Sequence, residues 1–399
     1  MKIAIITTYY PPVKSIASNR MEAMAYYLAQ GQQVVVFASG QDHEQAQGNL
    51  VVKYTPEQHL LNRLKDLPSD SKWLHKIKVG TRLLLSKMLK DPLVSWKKNT
   101  LNKVIEAHQQ EPFDLLISSY SPEAAHEVAI AFCKKYDDVP WVADMRDEMS
   151  TNPYLTVGKR KQLMKLESLV NEYASAITSV SLPILNDFQK LCPKVKYFEE
   201  IRNGFNHDFQ PDLSASQNEV FTFGYFGTFY GTRKPHTFLE ALHELKLDGT
   251  FNFRFELYGA HQNFDIPTSL KAYVMLYPSL SYLEAIKKMA EMDANVLIHP
   301  RSQQKGVFTG KLFDYLSIQK PVLALVDTTD VAAELINDMQ AGYAVEFDDV
   351  KGIKEAILQL KEDWTCHQLK VGTPEQIHQL HRSFQMDRLE KLLIKMVKK

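Results

Sequence analysis

The sequence predicts an α/β protein made of two doubly wound, Rossmann-like domains. Its 399 residues exceed what one hydrophobic core ordinarily supports, so two domains of roughly 150–200 residues are expected. Strand and helix patterns alternate from end to end, which is typical of βαβ units and of parallel sheets covered on both faces. Hydrophobic residues make up 45% of the chain and charged residues 24%, as in an ordinary globular protein.

The first half of the chain opens on a buried strand, a loop, and a helix whose apolar residues recur with a period near 3.6 until Gly31. The predicted strands and helices of this half are, in order, "KIAIIT", "RMEAMAYYLAQ", "QVVVFA", "FDLLISS", "PEAAHEVAIAFCKKY", "PWVADM", "KRKQLMKLESLVNEYA" and "AITSV".

The alternation breaks once, because Asn203-Gly204 predicts a turn and a polar stretch without periodicity follows to about residue 218. A second series then begins, with "FTFGYFG", "PHTFLEALHELK", "FRFELYG", "SYLEAIKKMAEM", "ANVLIH", "KLFDYLSI" and "PVLALV". We therefore predict an N-terminal domain over residues 1–205 and a C-terminal domain over residues 206–378. A last helix over residues 379–399 is expected to pack back on the first domain.

Composition indicates a cytoplasmic protein. The three cysteines lie far apart, which suits reduced thiols in the cytosol. The N-terminus lacks the long apolar core of a signal peptide, and no apolar run reaches the roughly 18–20 residues of a membrane span. Basic and acidic residues number 47 each, and no recognition motif for nucleic acid is present.

One stretch departs from this charge balance. Residues 60–103 hold eleven lysines and arginines against three aspartates, interleaved with Trp73, Trp96 and aliphatic residues. An anionic membrane surface is one partner that would fit this pattern, and such contact would make the protein peripheral at the inner face of the plasma membrane. The alternative is a solvated face of helices that pack on the first domain.

"TGKLFDYLSI" predicts a helix that begins near Thr309-Gly310. Its first amides and its dipole favour an anion, and Lys311 adds a mobile positive charge. Asp314, one turn on, is placed to accept hydrogen bonds from the hydroxyls of a ribose. The alternative is an ordinary helix start with an acid in its first turns.

"FGYFGTFYGTRKP" is the loop after the first strand of the second domain. Gly227 permits close approach of the backbone to a ligand, and Arg233 and Lys234 can reach a diphosphate. The alternative is a glycine turn that carries two solvated charges.

Two further candidates lie in the first half. "DMRDEMS" places Arg146 and Asp147 at the carboxyl end of a strand, where they could orient a hydroxyl; they could also form an ion pair that caps a helix. His126 follows "SSYSP", and its ring could face the ligand as a catalytic group or serve a structural role.

The order of these features resembles the retaining glycosyltransferases of the GT-B fold, family 4, over nearly the whole chain. The motifs that carry the resemblance are "YYPPVKSIASNR", "PWVADMRDEMS", "IRNGF", "YFGTFYGTRKP", "LYG", "TGKLFDYLSIQKPVLAL" and "AGYAVEFDD". The resemblance implies two domains that face a cleft, with a nucleotide-sugar donor in the second and the acceptor in the first.

By that resemblance, the donor diphosphate lies on Arg233 and Lys311, its ribose on Asp314, and its base beside Tyr258-Gly259. Ser18, Asn19 and Arg20 stand in the acceptor loop of the first domain, which is glycine-rich in the family. The family commonly has two glutamates in the pattern E-x7-E; here Asp314 replaces the second, and Gly306 stands in place of the first.

The implied reaction is transfer of a sugar from a nucleoside-diphosphate sugar, UDP- or GDP-linked, to a glycan or lipid-linked glycan, with retention of configuration. The chain has no D-x-D and no H-E-x-x-H, so neither a metal nor another cofactor is expected. Synthesis of a bacterial surface polysaccharide is the expected setting. The alternatives are a nucleotide-sugar 2-epimerase, a phosphorylase, or a protein that binds the sugar nucleotide without turnover.

Overall fold

The chain folds into two compact units. The computed structural model describes residues 1–57, 93–212, 218–249, 252–260, 264–366, 368 and 371–398. Unit 1 comprises Met1–Ile201 together with Met386–Lys399, and unit 2 comprises Arg202–Gln385.

Unit 1 contains an eight-stranded sheet in the order β3-β4-β2-β1-β5-β6-β7-β8. Neighbouring strands are parallel, except that β3 runs antiparallel to β4. The strands are β1 (Lys2–Ile6), β2 (Gln33–Ser39), β3 (Glu44–Gln47), β4 (Leu50–Thr55), β5 (Leu115–Tyr120), β6 (Trp141–Met145), β7 (Ala176–Ser179) and β8 (Tyr197–Glu200).

Unit 2 contains a six-stranded, parallel sheet in the order β11-β10-β9-β12-β13-β14. Its strands are β9 (Phe221–Phe226), β10 (Phe253–Tyr258), β11 (Val274–Tyr277), β12 (Ala294–His299), β13 (Val322–Val326) and β14 (Gly342–Glu346).

Helices connect the strands in both units. Those of unit 1 are α1 (Ile16–Leu28), α2 (Val94–Gln110), α3 (Ala124–Cys133), α4 (Val157–Tyr173) and α5 (Leu182–Leu191). Those that follow are α6 (His236–Leu247), α7 (Tyr282–Ala290), α8 (Gly310–Ser317), α9 (Val331–Asp338), α10 (Val350–Thr365), α11 (Pro374–Gln379) and α12 (Arg382–Val397), with a short 3₁₀ turn at Thr268–Leu270.

Both sheets are buried on both faces, which explains their continuous apolar strands. In β1, Ile3 and Ile5 join one hydrophobic cluster while Ala4 and Ile6 join another, as the two-residue period of a strand requires. The strand β13 divides in the same way, since Leu323 and Leu325 pack in a different cluster from its remaining residues. The predicted α/β fold with two doubly wound parallel sheets is confirmed.

The helix α12 is divided between the two units, because its first turn lies in unit 2 and the rest lies in unit 1. Residues from Met386 onward belong to unit 1, where Met386, Leu389 and Leu393 are buried with the apolar residues of β1 and β2. The chain therefore enters unit 2 after Ile201 and returns to unit 1 at its end. Among the described residues, we find no helix with the length and apolar character needed to cross a membrane.

The topology indicates where ligands bind. In each sheet, successive strands are added first on one side of the first strand and then on the other. This switch point lies between β1 and β5 in unit 1 and between β9 and β12 in unit 2. Ligands of doubly wound sheets bind at such switch points, outside the carboxyl ends of the strands. The loops after β9 and β12 are therefore the first places to examine in unit 2.

Candidate functional site

Lys311 lies at the start of α8, the helix that follows β12. Its Nζ donates a hydrogen bond to the hydroxyl of Tyr225 at 3.2 Å and lies 4.2 Å from the centre of the Tyr225 ring. A helix N-terminus carries a partial positive charge, to which Lys311 adds a full one. The carboxyl edge of this sheet is therefore electropositive at α8.

The start of α8 is open to a ligand. Its N-cap, Thr309, makes no capping hydrogen bond through its side chain, and Thr309 Oγ1 is buried without a hydrogen-bond partner among the described residues. A Cβ added to Gly310 would meet no atom within 4 Å. Gly310 thus leaves room beside a helix start, where an anion is favoured.

Gly227 makes room for Lys311. It directly follows β9 and has a φ of +119°, a conformation that residues other than glycine rarely adopt. A Cβ at this position would lie 2.7 Å from Lys311 Nζ and 2.9 Å from Lys311 Cε. Only glycine therefore lets the lysine lie against this turn.

Arg233 is the second cation of the site. Its guanidinium lies 5.0 Å from the centre of the Tyr230 ring, and its Nη1 donates a hydrogen bond to the Tyr230 hydroxyl at 2.5 Å. Burial and the nearby Arg233 lower the pKa of Lys311 to about 8. Within the described ranges, neither cation forms a salt bridge to a carboxylate, so both charges remain available to an anion. We call Lys311, Arg233, Gly227 and the start of α8 the cation site.

His299, at the end of β12, was not a sequence-based candidate. Its Nδ1 is buried and has no hydrogen-bond partner in the described part of the chain. Burial and Arg233 lower the pKa of His299 to about 4, so the ring is neutral at pH 7 and can accept or donate a hydrogen bond. Its position at the end of a switch-point strand is the signal that could have identified it.

Asp314, the predicted ribose ligand, already accepts one hydrogen bond in the ligand-free protein. The Tyr282 hydroxyl donates to Asp314 Oδ1 at 2.8 Å. Burial raises the pKa of Asp314 to about 6, although the Tyr282 hydrogen bond and the charge of Arg382 act in the opposite direction. A ligand hydroxyl would therefore bind Oδ2 or share Oδ1 with Tyr282.

The other donor-site candidates of unit 2 are Gly259, which lies in a turn, and Lys234, which lies at the surface. Gly259 has a φ of +76°, and a Cβ there would lie 2.9 Å from Ser279 Oγ. The preceding Tyr258 is stacked between Phe226 and Tyr277. Lys234 is exposed.

The backbone conformation at Gly306 disfavours the glutamate that the family commonly has at this position. Its φ is +78°, and its N–H donates to Asp330 Oδ1 at 2.8 Å. The neighbouring Lys305 forms a salt bridge with Asp327. A glutamate at residue 306 would be strained in this backbone conformation.

Residues 220–363 match the family described as Glycosyl transferases group 1. They include all of the cation site as well as His299 and Asp314.

Solved structures resemble the whole chain. Sucrose-phosphate synthase from Thermosynechococcus elongatus is 13% identical with a TM-score of 0.64, and 99% of each chain is covered. Anabaena HepE in complex with UDP and glucose is 14% identical with a TM-score of 0.62, covering 99% of this chain and 100% of that one. The lipopolysaccharide outer core galactosyltransferase WaaB is 11% identical with a TM-score of 0.60, with the same coverage.

These likenesses confirm the predicted GT-B fold, while assignment to family 4 stays a prediction. A comparison with curated protein sequences gives no match.

In unit 1, Arg20 is not free to bind an acceptor, and that prediction is corrected. Arg20 is 2% exposed. Its Nη2 and Nε donate to Asp144 at 2.6 and 3.1 Å, and its Nη1 donates to the carbonyl of Ile201 at 2.8 Å. Ser119 and Thr178 also donate to Asp144. The arginine therefore belongs to a buried network that joins α1 to the ends of three strands.

The rest of the predicted acceptor loop differs in exposure. Ser18 is 1% exposed, and its N–H donates to Ser15 Oγ at 3.0 Å. Asn19 is exposed. Of the three predicted acceptor residues, Asn19 alone has a side chain directed to solvent.

His126 is a core residue, so the expectation that its ring faces a ligand is wrong. It is fully buried, its Nδ1 lies 2.7 Å from Ser118 Oγ, and its Nε2 lies 3.3 Å from Met145 Sδ. Burial lowers the pKa of His126 to about 3. The ring thus stays neutral and packs against Trp141.

Arg146 and Asp147 are at the carboxyl end of β6, as predicted. Arg146 donates to Ser119 Oγ at 3.1 Å and to the carbonyl of Ser121, and its guanidinium lies 5.7 Å from the centre of the Tyr9 ring. Asp147 is exposed. The pair therefore presents one positioned cation and one accessible carboxylate at this edge of unit 1.

The basic stretch over residues 60–103 lies largely outside the described residues. In the part that is described, Trp96 is fully buried, while Lys97 pairs with Glu127 and Lys103 with Asp42. These residues form part of α2 and its contacts in unit 1, as the alternative interpretation of the stretch expected.

We predict that Gly227→Ala displaces Lys311 and lowers affinity for a nucleoside diphosphate at least about tenfold, because the new methyl group overlaps the lysine side chain. Calorimetric titration with UDP and GDP measures this. Gly249→Ala is the matched control, since Gly249 has a φ of +65° but open space around its Cβ position. Equal affinities for the Gly227→Ala variant and the wild type would refute the prediction.

Asp144→Asn should lower the free energy of unfolding by about 3–5 kcal/mol, because it leaves Arg20 buried and unpaired. Urea unfolding measures the change. Asp42→Asn is the control, as its partner Lys103 lies in an exposed pair worth about 0–1 kcal/mol. A loss below about 1 kcal/mol for Asp144→Asn would show that the buried pair is not a main support of unit 1.

Proposed function

We propose that this protein is a retaining glycosyltransferase that moves a sugar from a nucleoside-diphosphate sugar to an acceptor hydroxyl. The observation that carries the proposal is a pair of neighbouring cations, Lys311 at the start of α8 and Arg233 in the loop after β9. Neither forms a salt bridge with a carboxylate among the described residues. Two neighbouring positive charges repel each other unless an anion lies between them. In this proposal a diphosphate supplies that anion, and the match of residues 220–363 to the family described as Glycosyl transferases group 1 supports it.

The reaction requires the bond between the anomeric carbon and the diphosphate oxygen to break. Negative charge then grows on the leaving group, where Lys311, Arg233 and the amides at Gly310 stabilise it. One fixed donor of this kind contributes about 3–4 kcal/mol to catalysis. Lys234 and Gly259 complete the donor side, at the diphosphate and at the base.

The acceptor hydroxyl attacks the anomeric carbon from the face that the diphosphate leaves. Its proton passes to the departing phosphate oxygen, so the new glycosidic bond forms with retention and no protein nucleophile is needed. Unit 1 contributes Asp147 and Arg146 to orient the acceptor, together with Asn19. The exposure of Asp147 supports this role.

The proposed donor nucleotide is UDP, with GDP second. HepE, a structural relative, was solved with UDP and glucose, and WaaB, another relative, is named for lipopolysaccharide synthesis. We propose a glycan or lipid-linked glycan of the bacterial surface as acceptor. Contact with an anionic membrane through residues 60–103 remains part of this proposal.

The test of the function is a transfer assay with labelled UDP- and GDP-sugars, with and without a lipid-linked glycan extract. Transfer into the extract with retained anomeric configuration supports the proposal. Isomerisation of the donor without acceptor would indicate a 2-epimerase instead, and binding without turnover would indicate a protein that only binds the sugar nucleotide.

Lys311→Ala should lower kcat/KM for transfer about 100- to 1,000-fold, because it removes a charge that stabilises the leaving group. The fold should persist, since Lys311 forms no salt bridge with any of the residues that the structure describes. Lys271→Ala, at an exposed lysine of the same unit, is the control. Unaltered turnover in the Lys311→Ala variant would contradict the proposed role of the cation site.

Affinity for the nucleoside diphosphate should be greatest between about pH 6 and pH 8. Below pH 6 Asp314, whose pKa is raised to about 6, becomes protonated and loses its acceptor strength for a ribose hydroxyl. Above pH 8 Lys311, whose pKa is lowered to about 8, loses its charge.

Titration calorimetry across pH measures both limits. Asp314→Asn should remove the acidic limit, and Lys311→Arg should remove the alkaline one because arginine stays charged. A profile that neither substitution alters would assign the pH dependence to other groups.

Transfer should continue in EDTA, because two cations and the helix amides neutralise the diphosphate without a metal ion. The measurement is the initial rate before and after chelation, followed by addition of magnesium or manganese. A rate that falls on chelation and returns with either metal would show that the reaction needs the ion.

A further inference from the structure

Lys311 is held by an aromatic ring and a hydroxyl, and not by an acid. Its Nζ lies 4.2 Å from the centre of the Tyr225 ring and donates to the Tyr225 hydroxyl at 3.2 Å. An ammonium group has three N–H donors, and the hydroxyl takes one of them. The other two make no hydrogen bond to any described residue.

We propose that Tyr225 is a positioning residue that holds the Lys311 ammonium beside Gly227 and leaves its charge free for the diphosphate; the proposal rests on the function proposed above. A carboxylate at this place would orient the lysine equally well but would neutralise it and repel the phosphates. A phenol is neutral, so its ring face and hydroxyl stabilise the cation without competing for the ligand.

Tyr225 can serve this purpose because it is itself immobile. It is 2% exposed, and its ring stacks on Phe229 at a centroid distance of 4.3 Å. It lies in β9, with its hydroxyl 3.4 Å from the carbonyl of Thr228. The lysine is thus fixed on one side by this ring and on the other by the backbone of Gly227.

The position of Tyr225 also favours the charged form of the partly buried Lys311. Burial and Arg233 both disfavour the ammonium form, and the pKa of Lys311 is lowered to about 8. The contacts with Tyr225 act in the opposite direction, because both stabilise the cation. Removing the hydroxyl should therefore lower the pKa of Lys311 further.

The experiment compares the wild type with Tyr225→Phe and Tyr225→Leu. The pKa of Lys311 is measured in the ligand-free protein from the pH dependence of its acetylation, followed by mass spectrometry. Affinity for UDP and GDP is measured by calorimetry. Tyr225→Phe should lower the pKa of Lys311 and weaken binding about three- to tenfold, and Tyr225→Leu should weaken binding further.

The chain offers a matched control. Lys246 Nζ lies 4.3 Å from the centre of the Tyr273 ring, a similar pair in the same unit outside the cation site. Tyr273→Phe should change neither the titration of Lys311 nor nucleotide affinity. Thermal unfolding of every variant separates loss of binding from loss of fold, and the near-isosteric Tyr225→Phe protects against a variant that fails to fold.

An unchanged pKa of Lys311 in the Tyr225→Phe variant would overturn the inference, whether or not affinity falls, since Tyr225 would then not act through the lysine. If the pKa falls but the wild type binds no nucleoside diphosphate, the role of Tyr225 stands and the proposed function is wrong. A lowered pKa with weakened binding supports both.

Discussion

A partly buried lysine that forms no salt bridge with any described carboxylate is the constraint on which the site in unit 2 depends. Lys311 is partly buried and lies near Arg233, and both effects disfavour its charge. Proteins rarely retain such a group unless a ligand or a reaction uses it. The chain accommodates it through one glycine, Gly227, and one aromatic ring, Tyr225, and neither of them reduces the positive potential.

The doubly wound topology places these parts together although they are distant in sequence. Gly227 and Arg233 follow β9, whereas Lys311 follows β12, and the two strands are neighbours in the sheet. Their carboxyl ends therefore share one edge at the switch point. Unit 1 uses its corresponding edge differently, because there the Arg20–Asp144 pair is buried and holds α1 to the sheet.

The alternation of strands and helices was enough to predict the fold, and the helix start and the glycine loop were enough to nominate Lys311 and Arg233. Tyr225 was not nominated, since a tyrosine inside a strand has the same pattern as any core residue. The exposure of Arg20 and His126 was misjudged because sequence does not indicate which partner a polar side chain finds. Arg20 meets Asp144, 124 residues away in the chain.

The most direct measurement is a crystal structure of the protein with bound UDP, grown with magnesium available. The expected result is a diphosphate that contacts Lys311 Nζ, the Arg233 guanidinium and the amides at Gly310, with no ion between its phosphates. A nucleotide bound elsewhere, or a divalent cation held against the phosphates by aspartates, would contradict the assignment of the cation site.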